Sequence, residues 1–323
     1  MNWRDSSVLV TGGTGSFGHK FVELMLTKYH PRRLVIFSRD ELKQSEMMER
    51  FSDPSLRFFV GDVRDRDRLE RAMHDVDVVF HAAALKQIPS CEYNPFEAIL
   101  TNVMGTKNVI DAAVDQKVKR VMFISTDKAV NPINLYGATK LCAEKLAVQG
   151  NVYGHGRGTR LSVVRYGNVI GSRGSVIPLF AAQRSSGRVT VTDPAMTRFW
   201  IQLERGVEFA IECATLMQGG EIFVPKIRTM RIMDLVRAVA PDCEVEYIGI
   251  RPGEKLHEIL ISEDESRQAL EFDDKFVIEP LYPSWTAATT WEGGKRPPAG
   301  FRYTSEAEDN KLSLDEMRAL ADG

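Results

Sequence analysis

Six short apolar runs constrain this chain more than any other feature: Val8 to Val10, Leu34 to Phe37, Phe58 to Val60, Val76 to Phe80, Val121 to Ile124 and Leu161 to Val164. Runs this short, rich in Val, Ile and Phe and separated by longer amphipathic stretches, read as buried parallel strands joined by helices. The expected fold is a doubly wound, Rossmann-like α/β sheet. At 323 residues and 43% hydrophobic content, the chain can bury a core of that size. Past Gly167 the alternation loosens. Loops are expected around GNVIGSRGSVIP, then a helix near Glu204 to Met217, a short strand at Glu221 to Val224, and a helix near Ile232 to Ala240. The division read from this is a nucleotide-binding domain over 1–167 and a smaller, mainly substrate-binding lobe over 168–323, with some segments returning to the first. The Pro-, Gly- and Trp-rich tail around TTWEGGKRPPAGF precedes a short helix opening near Ser313.

Bulk properties exclude several classes. A net charge of −2 provides no basic field for nucleic acid. Cys91, Cys142, Cys213 and Cys243 form no CxxC pair, so neither a zinc site nor a disulfide framework is expected, and no metal is assigned. No apolar run reaches the roughly 18 residues of a membrane span. MNWRDSSVLVTGG enters a strand directly and leaves no room for a signal peptide. A cytoplasmic protein is the expectation.

Directly after the first strand comes TGGTGSFG, with Gly12, Gly15 and Gly18 in GxxGxxG spacing, opening a helix over Ser16 to Thr27. Glycines here allow a tight turn and close approach to a pyrophosphate, whose charge rests on the helix N-terminus. Thr14, Ser16 and Phe17 complete this candidate cofactor loop. At the end of the second strand, IFSRDELK places Ser38 and Arg39 where NAD enzymes usually carry an acid. Arg39, with Lys43 nearby, can pair a 2′-phosphate, which favours NADP; a carboxylate from Asp40 on the ribose would favour NAD. Asp62 and Val63 in GDVRD flank an adenine, or Asp62 caps a helix. HAAA, His81 to Ala84, ends the fourth strand, where Ala82, Ala83 and Ala84 admit backbone close to a cofactor; His81 reads as a structural strand-end histidine.

STDKAVNPINLYGATK carries Tyr136 and Lys140 four residues apart. On a helix they share a face, and an ammonium beside a phenol stabilises phenolate. Such a tyrosine can take a proton from a sugar hydroxyl as the carbinol hydride leaves for a nicotinamide.

With GxxGxxG, HAAA, a Ser-Thr pair and YxxxK in this order, the chain resembles the extended short-chain dehydrogenase/reductase family. FSRDELKQSEM, HAAALKQIPSCEYNPFEAILTNVMGTKNV, STDKAVNPINLYGATK, RYGNVIGSRGSVIPLF, MTRFWI, GGEIFVPKI and GIRPGEKLHE are similar to the signature runs of the inverting UDP-N-acetylglucosamine 4,6-dehydratases, from about residue 5 to about residue 320. That resemblance implies bound NADP, hydride removal from C4 of the sugar, elimination of water across C5 and C6, and hydride return to C6. The product is a 4-keto-6-deoxy sugar nucleotide with C5 inverted, opening the pseudaminic acid pathway of bacterial surface and flagellin glycosylation. It also implies a homo-oligomer, dimer or hexamer.

Carried over by resemblance, Tyr136 takes the C4 hydroxyl proton, Lys140 lowers its pKa and holds the nicotinamide ribose, and Thr126 or Ser125 bonds the C4 oxygen. Retaining dehydratases have Asp-Glu where this chain has Asp127-Lys128. Lys128 is the expected C5 base, its pKa lowered by partial burial and by Lys140; Asp127 is the expected acid for the C6 hydroxyl, with the two roles open to exchange or to sharing with Tyr136. Asn168, Arg173, Arg198, Arg251 and Glu254 are candidates for the UDP end, arginine because its fork pairs phosphate bidentately. Lys86 and Glu92 follow HAAA and could reach the sugar, and Lys86 and Asn102 are also candidate cofactor contacts. Two rival readings remain: a UDP-sugar C4-epimerase, which needs no C5 base or C6 acid, and a non-catalytic NADP-binding scaffold, against which intact Tyr136 and Lys140 speak.

Overall fold

The computed structural model describes residues 1–170, 176–282, 291–307 and 310–322. Its main sheet has nine strands: β1 (Ser7–Thr11), β2 (Arg33–Ser38), β3 (Leu56–Val60), β4 (Val78–His81), β5 (Arg120–Thr126), β6 (Arg160–Tyr166), β7 (Ile222–Pro225), β8 (Ala269–Glu271) and β9 (Lys275–Ile278), in the order β8-β9-β7-β6-β5-β4-β1-β2-β3. Seven are parallel, and β9 and β8 close one edge antiparallel. All six apolar runs became strands of this sheet, and the strand expected near Glu221 is β7. The doubly wound expectation holds. Strand order reverses between β1 and β4, and ligands bind in such folds at the carboxyl ends on either side of that point.

Most β1, β2 and β4 side chains are fully buried, as the unbroken apolar runs require. Helix α1 (Ser16–Leu24) follows β1 and continues as a π-helical turn to Tyr29, closed by His30 N–H donating to the Met25 carbonyl over 2.7 Å. The expected helix to Thr27 therefore keeps its length and changes its winding. Helix α2 (Leu135–Gln149) carries Tyr136 and Lys140. Helix α3 (Leu203–Leu216) packs on α1 and buries Val207, Phe209, Ala210 and Ile211 in the main core.

A second core gathers Ile170, Phe180, Val189, Trp200, Leu235 and Met317. Around it lie a three-stranded sheet of Arg228–Arg231, Thr197–Gln202 and Asn168–Ile170, and a parallel pair of Arg188–Val191 with Glu244–Tyr247. Asn168–Ile170 was expected as loop. Three residues are too few to show periodicity, and pairing with Thr197–Gln202 makes them a strand. The tail is tied down twice. Tyr303–Thr304 pairs with Ile259–Ile261, and the helix Leu314–Asp322 packs on Ile232–Val239.

Candidate active site

A cleft of about 870 Å³ opens at the carboxyl ends of the strands. Gly12, Thr14, Gly15, Ser16 and Phe17 form one wall, Ser38, Arg39, Lys43, Asp62 and Val63 its far end, and Ala82, Ala83, Ala84 and Lys86 its floor. Thr126, Lys128, Tyr136, Lys140, Asn168, Arg251 and Glu254 line the other half.

At the cofactor end, Gly12 has φ +67°, and a Cβ there would lie 2.9 Å from the Ala83 backbone. The glycine turn and the alanines of HAAA are thus two sides of one close approach. Gly15 sits at the N-cap of α1 with no side-chain cap, so the start of that helix borders the cleft. This cradle fits a dinucleotide pyrophosphate. Gly18 serves it indirectly: it lies away from the cleft, where a Cβ would meet the Gly13 carbonyl oxygen at 2.1 Å, so its absence lets α1 pack on β1. Asp40 is the side-chain N-cap of Glu41–Arg50, accepting from Lys43 N–H at 3.1 Å and from Lys43 Nζ at 2.5 Å. Both residues are therefore committed to each other. Arg39 remains half exposed, 3.7 Å from Asp62. Asp62 caps no helix, since Asp65 does that; it accepts from Arg64 at 2.7 Å. His81 is a structural strand-end residue: it meets Thr11 at Nδ1 (2.7 Å) and Thr106 at Nε2 (3.3 Å), and burial, with Lys140 nearby, pushes its imidazole down to about 3.

The reactive end is assembled around the start of α2. Asn134 caps this helix, accepting from Gly137 N–H at 2.7 Å, a contact worth about 1 kcal/mol in such positions. Its amide also donates to the Gly253 carbonyl at 2.8 Å, tying the RPGEK loop to the helix. At Gly137 a Cβ would meet the Lys128 carbonyl oxygen at 2.2 Å, so only glycine lets the Asp127–Lys128 turn press against the turn bearing Tyr136. Lys128 Nζ donates to Asp127 Oδ1 at 3.1 Å and lies 3.5 Å from Glu258 Oε1. Asp127 is fully buried and Lys128 keeps 23% of its side chain exposed, so only Lys128 of the pair faces the cleft.

Three expectations about this end need correction. Burial does pull the Lys128 ammonium down, but Asp127 and Glu258 together outweigh it and the group is held well above an ordinary lysine. Lys140 donates from Nζ to the Ile124 carbonyl at 2.7 Å, and burial lowers it to about 8 against the pull of Glu144. Burial also pushes the Tyr136 phenol up to about 12, and the cation that opposes this is Lys128 rather than Lys140. The shared helical face was correct geometry. The charge pairing depended on a residue from the preceding turn.

Several candidates lie off the cleft. Asn102 is buried, holding Leu85 N–H at 2.8 Å, the Leu85 carbonyl at 2.9 Å and Thr139 Oγ1 at 3.0 Å; it shapes the backbone after HAAA. Glu92 accepts from Leu135 N–H at 2.7 Å and so serves the start of α2. Arg198 is buried, donating to the carbonyls of Thr197 (2.7 Å) and Leu256 (3.0 Å) and facing Glu258 at 3.9 Å. Arg173 lies outside the described residues. Thr126 donates to Asp127 Oδ1 at 2.8 Å, whereas Ser125 lines the cleft with a buried, unpartnered Oγ, making Ser125 the freer donor of the two. The sequence reading missed Gln87, Ile88, Pro89, Thr101, Tyr166 and Leu203 as cleft residues, and Glu258 behind it. Gln87, Ile88 and Pro89 follow Lys86 directly, and Glu258 ends the GIRPGEKLHE run, so position beside a motif was the available signal.

Strand order, glycine cradle and cleft define a dinucleotide-binding protein of the doubly wound α/β class. Residues 8–280 match the family described as Polysaccharide biosynthesis protein, and the chain belongs to that family. It is 49% identical over 322 residues to the UDP-N-acetylglucosamine 4,6-dehydratase (inverting) of Campylobacter jejuni, covering 97% of this chain and 96% of that one. Against the UDP-glucose 4-epimerase of Rickettsia conorii it is 40% identical over 324 residues, covering 98% and 95%. The solved structure of Pen from Bacillus thuringiensis matches with TM-score 0.91 at 42% identity, covering 99% and 98%. DesIV, a dTDP-glucose 4,6-dehydratase from Streptomyces venezuelae solved with NAD and TYD bound, shares the fold at TM-score 0.67 and 24% identity, covering 77% and 86%. The resemblance drawn from the signature runs is borne out. Among the described residues no helix is long and apolar enough to cross a membrane, and no group of His, Cys, Asp and Glu is placed to hold a metal ion.

Proposed function

We propose that this chain is an inverting UDP-N-acetylglucosamine 4,6-dehydratase that works with tightly bound NADP. The observation that carries the reading is the pair of buried Asp127 and cleft-facing Lys128 on a turn pressed against the one bearing Tyr136, an acid-base device that epimerisation at C4 does not use. The 49% identical relative of that name supports it. A bound nicotinamide supplies the redox chemistry, storing the hydride taken from C4 until it returns to C6. Gly12, Gly15 and the start of α1 hold the pyrophosphate, and Arg39, the cation at the far end not committed to a helix cap, meets the 2′-phosphate.

Tyr136 takes the C4 hydroxyl proton, which requires its raised pKa to fall; Lys128 and the Thr126 hydroxyl already pull in that direction. Ser125 holds the C4 oxygen. Once C4 is a ketone the C5 proton is acidic, and Lys128 is the member of the pair that reaches it. Its resting ammonium must first lose a proton to solvent at the cleft, a loss that Asp127, 3.1 Å away, opposes. The neutral amine then takes the C5 proton and gives it to the C6 oxygen, which leaves as water. Hydride return to C6 is matched by a solvent-derived proton at C5, and Tyr136 releases the proton it took, which restores the resting site. Asp127 thus acts through Lys128 rather than on the sugar, because it is fully buried behind it. Lys86, Asn168, Arg251 and Glu254 bind the UDP-sugar along the open half of the cleft. Pseudaminic acid-type glycans, a cytoplasmic location and a symmetric oligomer are the setting that accompanies this activity.

A second reading, UDP-sugar 4-epimerase, is favoured by the 40% identical Rickettsia conorii relative. Proton NMR of UDP-N-acetylglucosamine incubated with the protein in deuterated water separates the two. A C6 methyl with deuterium at C5 and altered ring couplings is the expected result; a galacto sugar without a methyl would overturn it in favour of epimerisation.

A further inference from the structure

Glu258 ends the GIRPGEKLHE run, was itself given no role by the sequence, and has a side chain only 3% exposed. Oε1 lies 3.5 Å from Lys128 Nζ and 3.9 Å from Arg198 Nε, while Oε2 has no hydrogen-bond partner among the described residues. Burying a carboxylate is costly unless it is paired, and leaving half of it unbonded adds to the cost. The backbone keeps it there: Glu258 N–H donates to Ser305 Oγ at 2.8 Å, and Ser305 N–H donates to the Glu258 carbonyl at 2.8 Å. Ser305 belongs to the tail, is fully buried, and also meets Thr197 Oγ1 at 2.7 Å. The last segment of the chain therefore delivers a carboxylate to the back of the reactive lysine.

We propose that Glu258 is a positioning residue that holds the Lys128 ammonium between itself and Asp127 at the cleft wall and sets the pH at which that ammonium yields its proton. The charged and titratable groups around Lys128 are Asp127 on its own turn, Glu258, Arg198 from Thr197–Gln202, Tyr136 from α2, and Lys86 and Lys255 from the flanking loops. Arg198, Lys86 and Lys255 are cationic and favour the neutral amine. Asp127 and Glu258 are the two carboxylates that oppose them, and Glu258 is the one supplied from outside the STDK turn.

The test is the titration of Lys128 in substrate-free protein labelled with 13C-lysine, its Cε signal identified by its loss in Lys128→Arg. In the wild type this signal should hold its ammonium position to the alkaline limit of the folded protein. In Glu258→Gln the midpoint should fall by about one pH unit or more, the usual effect of an opposite charge at this range. Glu258→Asp, with its charge a methylene further away, should fall between the two and serves where the Gln variant does not fold. An identical titration in wild type and variants would overturn the proposal. The kinetic consequence rests on the dehydratase reading: the acidic limb of the kcat/KM profile should move down with the titration, with KM nearly unchanged. Loss of kcat in both variants with an unmoved limb would mean a purely structural role and would also overturn it. Because the titration needs no substrate, failure to dehydrate UDP-N-acetylglucosamine would refute the proposed activity while leaving this test intact.

Discussion

Two ion clusters adjoin α2, one at its first turn and one at Glu144, and they are built to opposite ends. Arg165, fully buried on β6, uses its whole guanidinium: Nε and Nη2 donate to Glu144 at 3.0 and 2.6 Å, Nη1 and Nη2 to Glu265 at 3.1 and 2.9 Å, and Nη1 to the Leu260 carbonyl at 2.8 Å. All four carboxylate oxygens are bonded. The Asp127-Lys128-Glu258 cluster has acids at least as buried, yet among the described residues Asp127 Oδ2 and Glu258 Oε2 have no partner, and Lys128 faces the cleft. A saturated network has nothing left to exchange and acts as a bolt, here between α2 and the chain around Ser262. An unsaturated one keeps a proton in play. Completeness of bonding, rather than burial or charge, is what differs between the two clusters.

The largest effect expected from breaking this contrast is at Tyr136, the phenol served by the unsaturated cluster. Tyr136→Phe should reduce turnover by about 10³–10⁴-fold, read by loss of the C6 methyl signal, with NADP binding by fluorescence titration largely kept. Unchanged turnover would remove Tyr136 from the base role. Next comes the bolt. Arg165→Met leaves Glu144 and Glu265 without their cation and should cost about 3–5 kcal/mol in urea unfolding; a loss below about 1 kcal/mol would show the saturated network to be dispensable. At Lys128 the cost should appear in chemistry, with Lys128→Ala slowing elimination by about 10²–10³-fold while C4 oxidation persists as reduced cofactor absorbing near-ultraviolet light. Normal dehydration by that variant would exclude Lys128 as C5 base. The smallest effect is at the rim of the cofactor end: Arg39→Ala should weaken NADP by about tenfold and NAD hardly at all, since a half-exposed arginine-phosphate contact contributes about 1–2 kcal/mol. Equal losses for both cofactors would undo the 2′-phosphate argument.

Legibility followed sequence distance. The glycine cradle and the YxxxK face were readable because each lies within one turn and its neighbours, where spacing dictates geometry. Asp40 was ambiguous until its neighbours were placed: it lines the cleft, and its carboxylate caps a helix and pairs with Lys43 three positions on. Arg198 read as a phosphate ligand because arginine in a signature run invites that role, and packing against Leu256 and Glu258 turned it inward.

The chain's own order of residues determined the doubly wound sheet, since fully buried parallel strands must be continuous apolar runs, and the cofactor cradle, since a tight turn onto a helix end needs glycine at set positions. Only the tertiary structure decided the proton chemistry. The affinity of Lys128 for its proton depends on Asp127 beside it and on Glu258, which a folded tail holds 3.5 Å away. Electrostatic energy inside a protein varies with separation and burial, and neither quantity is written in the spacing of residues along a chain.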